Sequence, residues 1–297
     1  MLRTALLMVL FALVAAGEPI PVITGNTIVH DLATRIGGDR FVVTCLLKPG
    51  VDPHAYQPVP DDIRRLAAAK IVIINGLGFE GWFENLAKEA RFSGTLVVAT
   101  TGITPLNMSE ACASGHDHHH HHDVVDPHAY NSLRQGVRYA ENIRDALIAA
   151  DPAGADGLRS RAAAVIDELR RVDGWATAEL AAIPKAQRTI VTNHGALAYF
   201  AKDYGFTIRS PNTALEDSQP SAKQIAELVA FIREQGVKGV FLEYGKNPKL
   251  IEQIAAESGV RVGTELHLDG VGPLDGATGT YIGVFKTNVQ AILAALR

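Results

Sequence analysis

The pentapeptide Asp-Pro-His-Ala-Tyr occurs twice, at Asp52 to Tyr56 and again at Asp126 to Tyr130. A recurring imidazole anchored by proline in two separate loops points to two arms of one metal site. Between the copies lie His116, Asp117, His118, His119, His120, His121, His122 and Asp123, a cluster whose common chemistry is the capture of soft or borderline cations. A third candidate imidazole is His194, in Thr192-Asn193-His194-Gly195. Zinc accepts three neutral imidazole nitrogens at about 2.0 to 2.1 Å together with one oxygen, in a tetrahedron. Asp269, Asp275, Glu243 and a water molecule are the candidates for that oxygen. Asp269 is preferred, because it follows the last short strand and so shares the sheet edge that carries His194. A closed shell of this kind suits binding and carrying, whereas catalytic zinc keeps a position open. Glu243 is then expected behind the ligands, accepting a ring N–H from one of the histidines.

The elements that must position these groups alternate between strand and helix. Short β-branched runs at Val22 to Thr24, Val42 to Leu47, Ile71 to Ile74 and Leu96 to Val98 are separated by helical segments such as Ile28 to Ile36 and Trp82 to Ala90. The pattern returns after residue 188, with strands at Thr189 to Thr192, Phe206 to Ile208, Gly239 to Leu242 and Val260 to Val262. Helices follow near Ala196 to Tyr204, Ser221 to Gln235, Pro248 to Ser258 and Tyr281 to Leu296. Such alternation predicts an α/β fold with two lobes, each a parallel sheet covered by helices. Open sheets of this class hold ligands beyond the carboxyl ends of their strands. His54 follows one strand of the first set, His194 follows one of the second, and His128 stands just before a helix beginning near Asn131, so the imidazoles are expected to converge between the lobes.

Leu158, Ala162, Val165, Leu169, Val172, Ala176 and Leu180 recur every three or four residues, the spacing of one apolar helix face. This predicts a single connecting helix, opened by Asp151, Pro152 and Gly154 and closed by Pro184, with Gly174 inside it at a cost of about 1 kcal/mol relative to alanine. A break at Gly174 into two helices is the competing reading. The expected divisions are a signal peptide over 1–16, a first lobe over 17–153 that includes a His-rich loop at 113–125, the helix over 154–183 and a second lobe over 184–297.

Met1, Leu2 and Arg3 form a short positive region, Thr4 to Val14 is nearly all apolar, and Val14, Ala15 and Ala16 offer a cleavage site. This is the pattern of a secretory signal peptide, and the apolar run is shorter than the roughly 18 to 20 residues of a spanning helix. No cysteine follows the run, so a lipid anchor is not expected, and the chain is assigned to the periplasm. Cys45 and Cys112 would meet an oxidising compartment there and could pair. At 297 residues with a net charge of −4 and no basic stripe, the chain is long enough for two cores and a poor partner for nucleic acid.

The chain resembles the zinc and manganese substrate-binding proteins of bacterial ABC importers over essentially its whole mature length. The resemblance is carried by Lys48-Pro49-Gly50-Val51-Asp52-Pro53-His54, Asp126-Pro127-His128, Asn193 to Phe200, Phe241-Leu242-Glu243 and Leu268-Asp269, and the His-rich stretch matches the zinc-specific branch. It implies two pseudo-symmetric Rossmann-like lobes joined by one backbone helix, with a metal site in the cleft made by His54, His128, His194 and Asp269. One departure is Tyr130, where members more often carry tryptophan. Manganese-selective members place a second carboxylate where this chain has His194, and oxygen donors suit that hard ion, so the expected cargo here is Zn²⁺. The implied partner is an inner-membrane permease, alongside a periplasmic metal donor, with the protein working as a monomer.

The remaining features take ordinary readings. Five consecutive histidines look like a purification tag, but these are internal and flanked by Asp117 and Asp123. They are read as accessory, exchangeable metal binders that raise the local zinc concentration. His30 lies on a helix face and His267 alternates with Leu266 and Leu268 on a strand. No His-Glu-x-x-His helix or comparable catalytic constellation is present, so a zinc hydrolase is set aside. A manganese or broad divalent carrier, or a metal buffer or adhesin working without a transporter, remains as the alternative.

Overall fold

The computed structural model describes residues 18–107, 125–211 and 220–297. Within them lie two four-stranded, all-parallel sheets. The first contains β1 (Ile20–Thr24), β2 (Phe41–Cys45), β3 (Ile71–Ile74) and β4 (Thr95–Val98) in the order β2-β1-β3-β4. The second contains β5 (Thr189–Val191), β6 (Thr207–Arg209), β7 (Gly239–Glu243) and β8 (Val262–Leu266) in the order β6-β5-β7-β8. One permutation describes both sheets, which is the pseudo-symmetry of two Rossmann-like lobes. In each, the order reverses beside the first strand of the set, and the crevice at such a reversal is where open α/β sheets bind ligands.

The helices among the described residues are α1 (Thr27–Gly37), α2 (Pro60–Ala68), α3 (Phe83–Glu89), α4 (Leu133–Ala150), α5 (Ala155–Ala181), α6 (Ala198–Tyr204), α7 (Ala222–Gln235), α8 (Lys249–Ser258) and α9 (Tyr281–Leu296). All four residues of β3 are buried, as expected of a parallel strand covered on both faces. Asn26 caps α1, its Oδ1 accepting from the Ile28 and Val29 amides at 3.0 and 3.1 Å.

The long helix α5 runs unbroken through Gly174 for 27 residues, or about 40 Å. Its inward face buries Leu158, Ala162, Val165, Leu169, Ala176 and Leu180, while Val172 is only half-buried. That face joins one apolar cluster containing residues of α1, α4 and α9, including Ile36, Leu147 and Ile292. The connecting helix is therefore embedded in packing shared by both halves rather than exposed between them.

Two elements differ from the sequence reading. Helix α2 is additional; its signal was present in Pro60 at the first helical position and in Asp61 and Asp62 of the first turn, whose charge favours a helix start. Strand β8 begins at Val262 rather than Val260. Gly259 takes a left-handed conformation (φ 75°) to close α8, and the Val260 amide still donates to the Ala255 carbonyl at 3.1 Å, so Val260 belongs to the helix cap. The expected signal peptide and the accessory histidines His116 and His118–His122 lie outside the described residues. So does Cys112, and with it the proposed pairing to Cys45. No helix among the described residues is long and apolar enough to cross a membrane.

Candidate metal centre

Each copy of the repeated pentapeptide forms the same turn. The Asp52 Oδ1 accepts the His54 amide at 2.9 Å, and the Asp126 Oδ1 accepts the His128 amide at 2.8 Å. An aspartate that caps the amide two residues on, with proline holding the dihedral between them, aims the histidine outward from the loop. The first copy stands in the loop after β2 and the second just before α4. His194 leaves the end of β5 and Asp269 follows β8.

These four side chains meet: one donor atom from each of His54, His128, His194 and Asp269 lies within 4.8 Å of all the others. The Nε2 atoms of His54 and His128 are 3.0 Å apart, and the Asp269 Oδ1 is 3.2, 3.5 and 3.9 Å from Nε2 of His194, His128 and His54. A tetrahedral ion with bonds of about 2.0 to 2.1 Å requires ligand-to-ligand edges of about 3.3 to 3.4 Å. The His54–His128 separation and the three from Asp269 straddle that value, a spacing compatible with a small cation bound among these donors.

Behind the donors, two imidazoles are held by carboxylates. Nδ1 of His128 is 2.8 Å from the Asp126 Oδ1, and Nδ1 of His194 is 2.6 Å from the Glu243 Oε2. Each carboxylate fixes its ring so that Nε2 faces the centre. Their protonation differs. Burial is the largest influence on His128 and, together with the neighbouring His54 and His194, lowers its pKa against the opposing pull of Asp126. For His194 burial is again the largest single influence and acts downward, but Glu243 and Asp269 together outweigh it and raise the pKa well above the usual value. Burial would likewise raise the pKa of Asp269, yet His194, His54 and Lys246 hold it well below the ordinary carboxylate range. The two carboxylates on either side of His194 thus favour the protonated form of its ring.

Aromatic rings wall the first-lobe side. Phe79 is fully buried and meets His54 edge-on at 5.0 Å and His128 at 5.6 Å between ring centres, with Tyr130 5.4 Å from Phe79. Tyr130 also ties the halves together, its hydroxyl donating to the Leu268 carbonyl at 2.9 Å beside Asp269. Asn131 reinforces the tie with bonds to the Ala196 and Leu268 carbonyls.

Of the other candidates, Glu243 lies on the far ring nitrogen of His194 and Asp275 is exposed. His30 and His267 stand outside the cluster. Burial lowers the pKa of both, and His267 stacks on Tyr244 with ring centres 4.3 Å apart. Sequence reasoning passed over Asp126 as a ring partner, Phe79 as a wall and Lys246 altogether. The first had a signal, since an aspartate two residues before a histidine can reach both its amide and its ring. Phe79 and Lys246 had none, because their roles depend on loops far apart in sequence.

The family described as ZnuA, the periplasmic component A of the zinc-uptake complex, is matched by residues 22–295. A curated relative, the iron-binding protein YfeA of Yersinia pestis, is 35% identical over 271 residues, 91% of this chain and 84% of that protein. The manganese-binding lipoprotein MntA of Halalkalibacterium halodurans is 30% identical over 280 residues, 94% of this chain and 89% of its own length. Among solved structures, the periplasmic zinc-binding protein TroA from Treponema pallidum aligns with a TM-score of 0.84 at 25% identity, covering 94% of this chain and 99% of that one.

Proposed function

This chain belongs to the ZnuA family of periplasmic metal-binding proteins that serve ABC importers, and we propose that its cargo is Zn²⁺, held by His54, His128, His194 and Asp269. The observation that carries this reading is the donor set: three imidazole nitrogens and one carboxylate oxygen, all within 4.8 Å of one another. Imidazole suits zinc, whereas manganese prefers oxygen. In this reading the protein collects the ion in the periplasm, His116 and His118–His122 supply loose accessory sites, and a permease in the inner membrane receives the ion. Carrying needs a shell that closes around the cargo and no nucleophile.

A second reading has a specific observation behind it, since two relatives that match most of this chain are named for iron and manganese. The two readings part in one experiment. Chelator-stripped protein is given equimolar Zn²⁺, Mn²⁺ and Fe²⁺ without oxygen, desalted and analysed for metal. One tight zinc per chain is the expected result; manganese or iron retained in the presence of zinc would replace the first reading with the second. Loss of the gene should slow growth only when zinc is chelated.

A further inference from the structure

Strand β7 ends in a tight turn, Glu243 to Lys246, closed by the Lys246 amide donating to the Glu243 carbonyl at 3.1 Å. The turn carries two supports for the metal centre. Its first residue holds the ring of His194. Its last, Lys246, sends its ammonium group to the Asp269 Oδ2 at 3.3 Å and to the Asp52 Oδ2. Asp52 in turn holds the His54 amide through its other oxygen. The turn is pressed against the first lobe at Gly245, whose φ is 82° and where a Cβ would come within 2.9 Å of the Gly50 carbonyl oxygen. Only glycine meets both conditions without strain, so the position of Lys246 is built in rather than incidental.

The two oxygens of Asp269 therefore face different partners. Oδ1 faces the three imidazoles and Oδ2 faces an ammonium group. We propose that Lys246 is a specificity-determining positioning residue, which occupies the second oxygen of Asp269 and so confines that carboxylate to a single bond with the ion. This inference rests on the four-ligand site proposed above. With one oxygen from Asp269 the shell contains four donors, the number that zinc takes in closed tetrahedral sites. Released from Lys246, Asp269 can turn to offer both oxygens, and the site gains the fifth, hard donor that a manganese ion needs. The selective element is thus a side chain that never touches the metal.

A bridge that merely joined the lobes would predict something else. Its loss would lower stability and weaken all ions in proportion. Removing a positive charge beside the ion also strengthens every dication alike, so the informative quantity is the ratio of zinc to manganese affinity. The test uses the full mature chain and its Lys246→Met, Lys246→Gln and Lys246→Arg variants, loaded with Co²⁺ as a spectroscopic probe and then titrated with Zn²⁺ and Mn²⁺ against competing chelators. The parent should bind one Co²⁺ with the intense visible bands of a four-coordinate ion. In Lys246→Met and Lys246→Gln those bands should weaken severalfold, and the zinc-to-manganese ratio should fall by about tenfold, the lower end of what outer partners of metal ligands control. Lys246→Arg, which keeps a cation at Asp269, should restore both. Parent-like bands and ratio in a folded Met or Gln variant would overturn the role of Lys246 and leave the metal site standing. A parent chain that bound no Co²⁺ or Zn²⁺ would overturn both.

Discussion

The two copies of Asp-Pro-His-Ala-Tyr share five residue types and one turn, yet the fold uses them differently. In the second copy everything is buried: the side chains of Asp126 and His128 are both 0% exposed, and a single Asp126 oxygen takes both the amide and the ring of His128. Tyr130 reaches across to the second lobe. In the first copy the His54 side chain is 13% exposed and its Nδ1 has no partner. Asp52 spends its second oxygen on Lys246, and the Tyr56 hydroxyl donates to Asp62 at 2.6 Å within its own lobe. The repeated letters encode a turn that presents an imidazole; depth in the fold decides whether that imidazole is a buried floor braced by a carboxylate or a partly exposed rim without one.

The contrast predicts that His128→Ala does more damage than His54→Ala. The former leaves Asp126 buried without its partner, which should lower stability by about 3 kcal/mol in denaturant titration and abolish tight zinc binding. At His54 water can take the vacated position, so zinc affinity should fall while stability hardly changes. Equal losses of stability would remove the contrast. The next comparison is finer. An asparagine at either aspartate still presents an Oδ1 to the histidine amide, and at position 126 the same oxygen still accepts from the ring, so Asp126→Asn removes only the carboxylate charge behind His128 and should cost about 10-fold in zinc affinity by chelator competition, the lower end for outer partners of metal ligands. Asp52→Asn loses only a partly exposed ion pair and should cost about 1 kcal/mol or less.

The contrast also marks what could be read from the chain. Strand and helix positions were legible because β-branched runs and apolar spacing are local signals, and the course of α5 followed from one face read across Gly174. Candidate donors stood out because imidazoles at strand ends have few other uses. Val260 was misplaced because a left-handed Gly259 extends the grip of α8 by one residue. The different fates of two identical pentapeptides were not legible at all. They are set by Phe79, Lys246 and Leu268, which reach the loops only through tertiary packing.

Protonation separates the imidazoles further. His128 has a lowered pKa and is neutral at pH 7, whereas His194 has a raised one and donates from Nε2 to the Asp269 Oδ1. An arriving ion must displace that second proton. In the ion-free protein the raised pKa of His194 stabilises the fold fully below the unfolded value of about 6.5, and this contribution is lost as pH rises through the folded value. The lowered pKa of Asp269 contributes above about 3.9 and is lost as pH falls through its own folded value. Zinc binding should therefore release about one proton per ion at pH 7, and affinity should fall about tenfold for each unit of acidification below the His194 pKa. Calorimetry in two buffers of different ionisation enthalpy measures the proton count. No release would mean that His194 is already neutral, with no proton to distinguish it from His128.

The smallest effect tests where the molecule moves. A buried floor and a partly exposed rim predict release through the loops of His54 and Asp269, with α5 acting as a stiff strut inside the shared core. Gly174 lies on the outer face of that strut, and a Cβ there would meet nothing within 4 Å. Gly174→Ala should therefore stabilise the protein by about 1 kcal/mol through helix propensity alone, and the rate at which zinc leaves to an excess of chelator should not change. A slower departure in the alanine variant would mean that release requires α5 to bend at its glycine. Both copies of the pentapeptide would then ride on lobes moving as bodies, and the difference between floor and rim would be one of burial without one of motion.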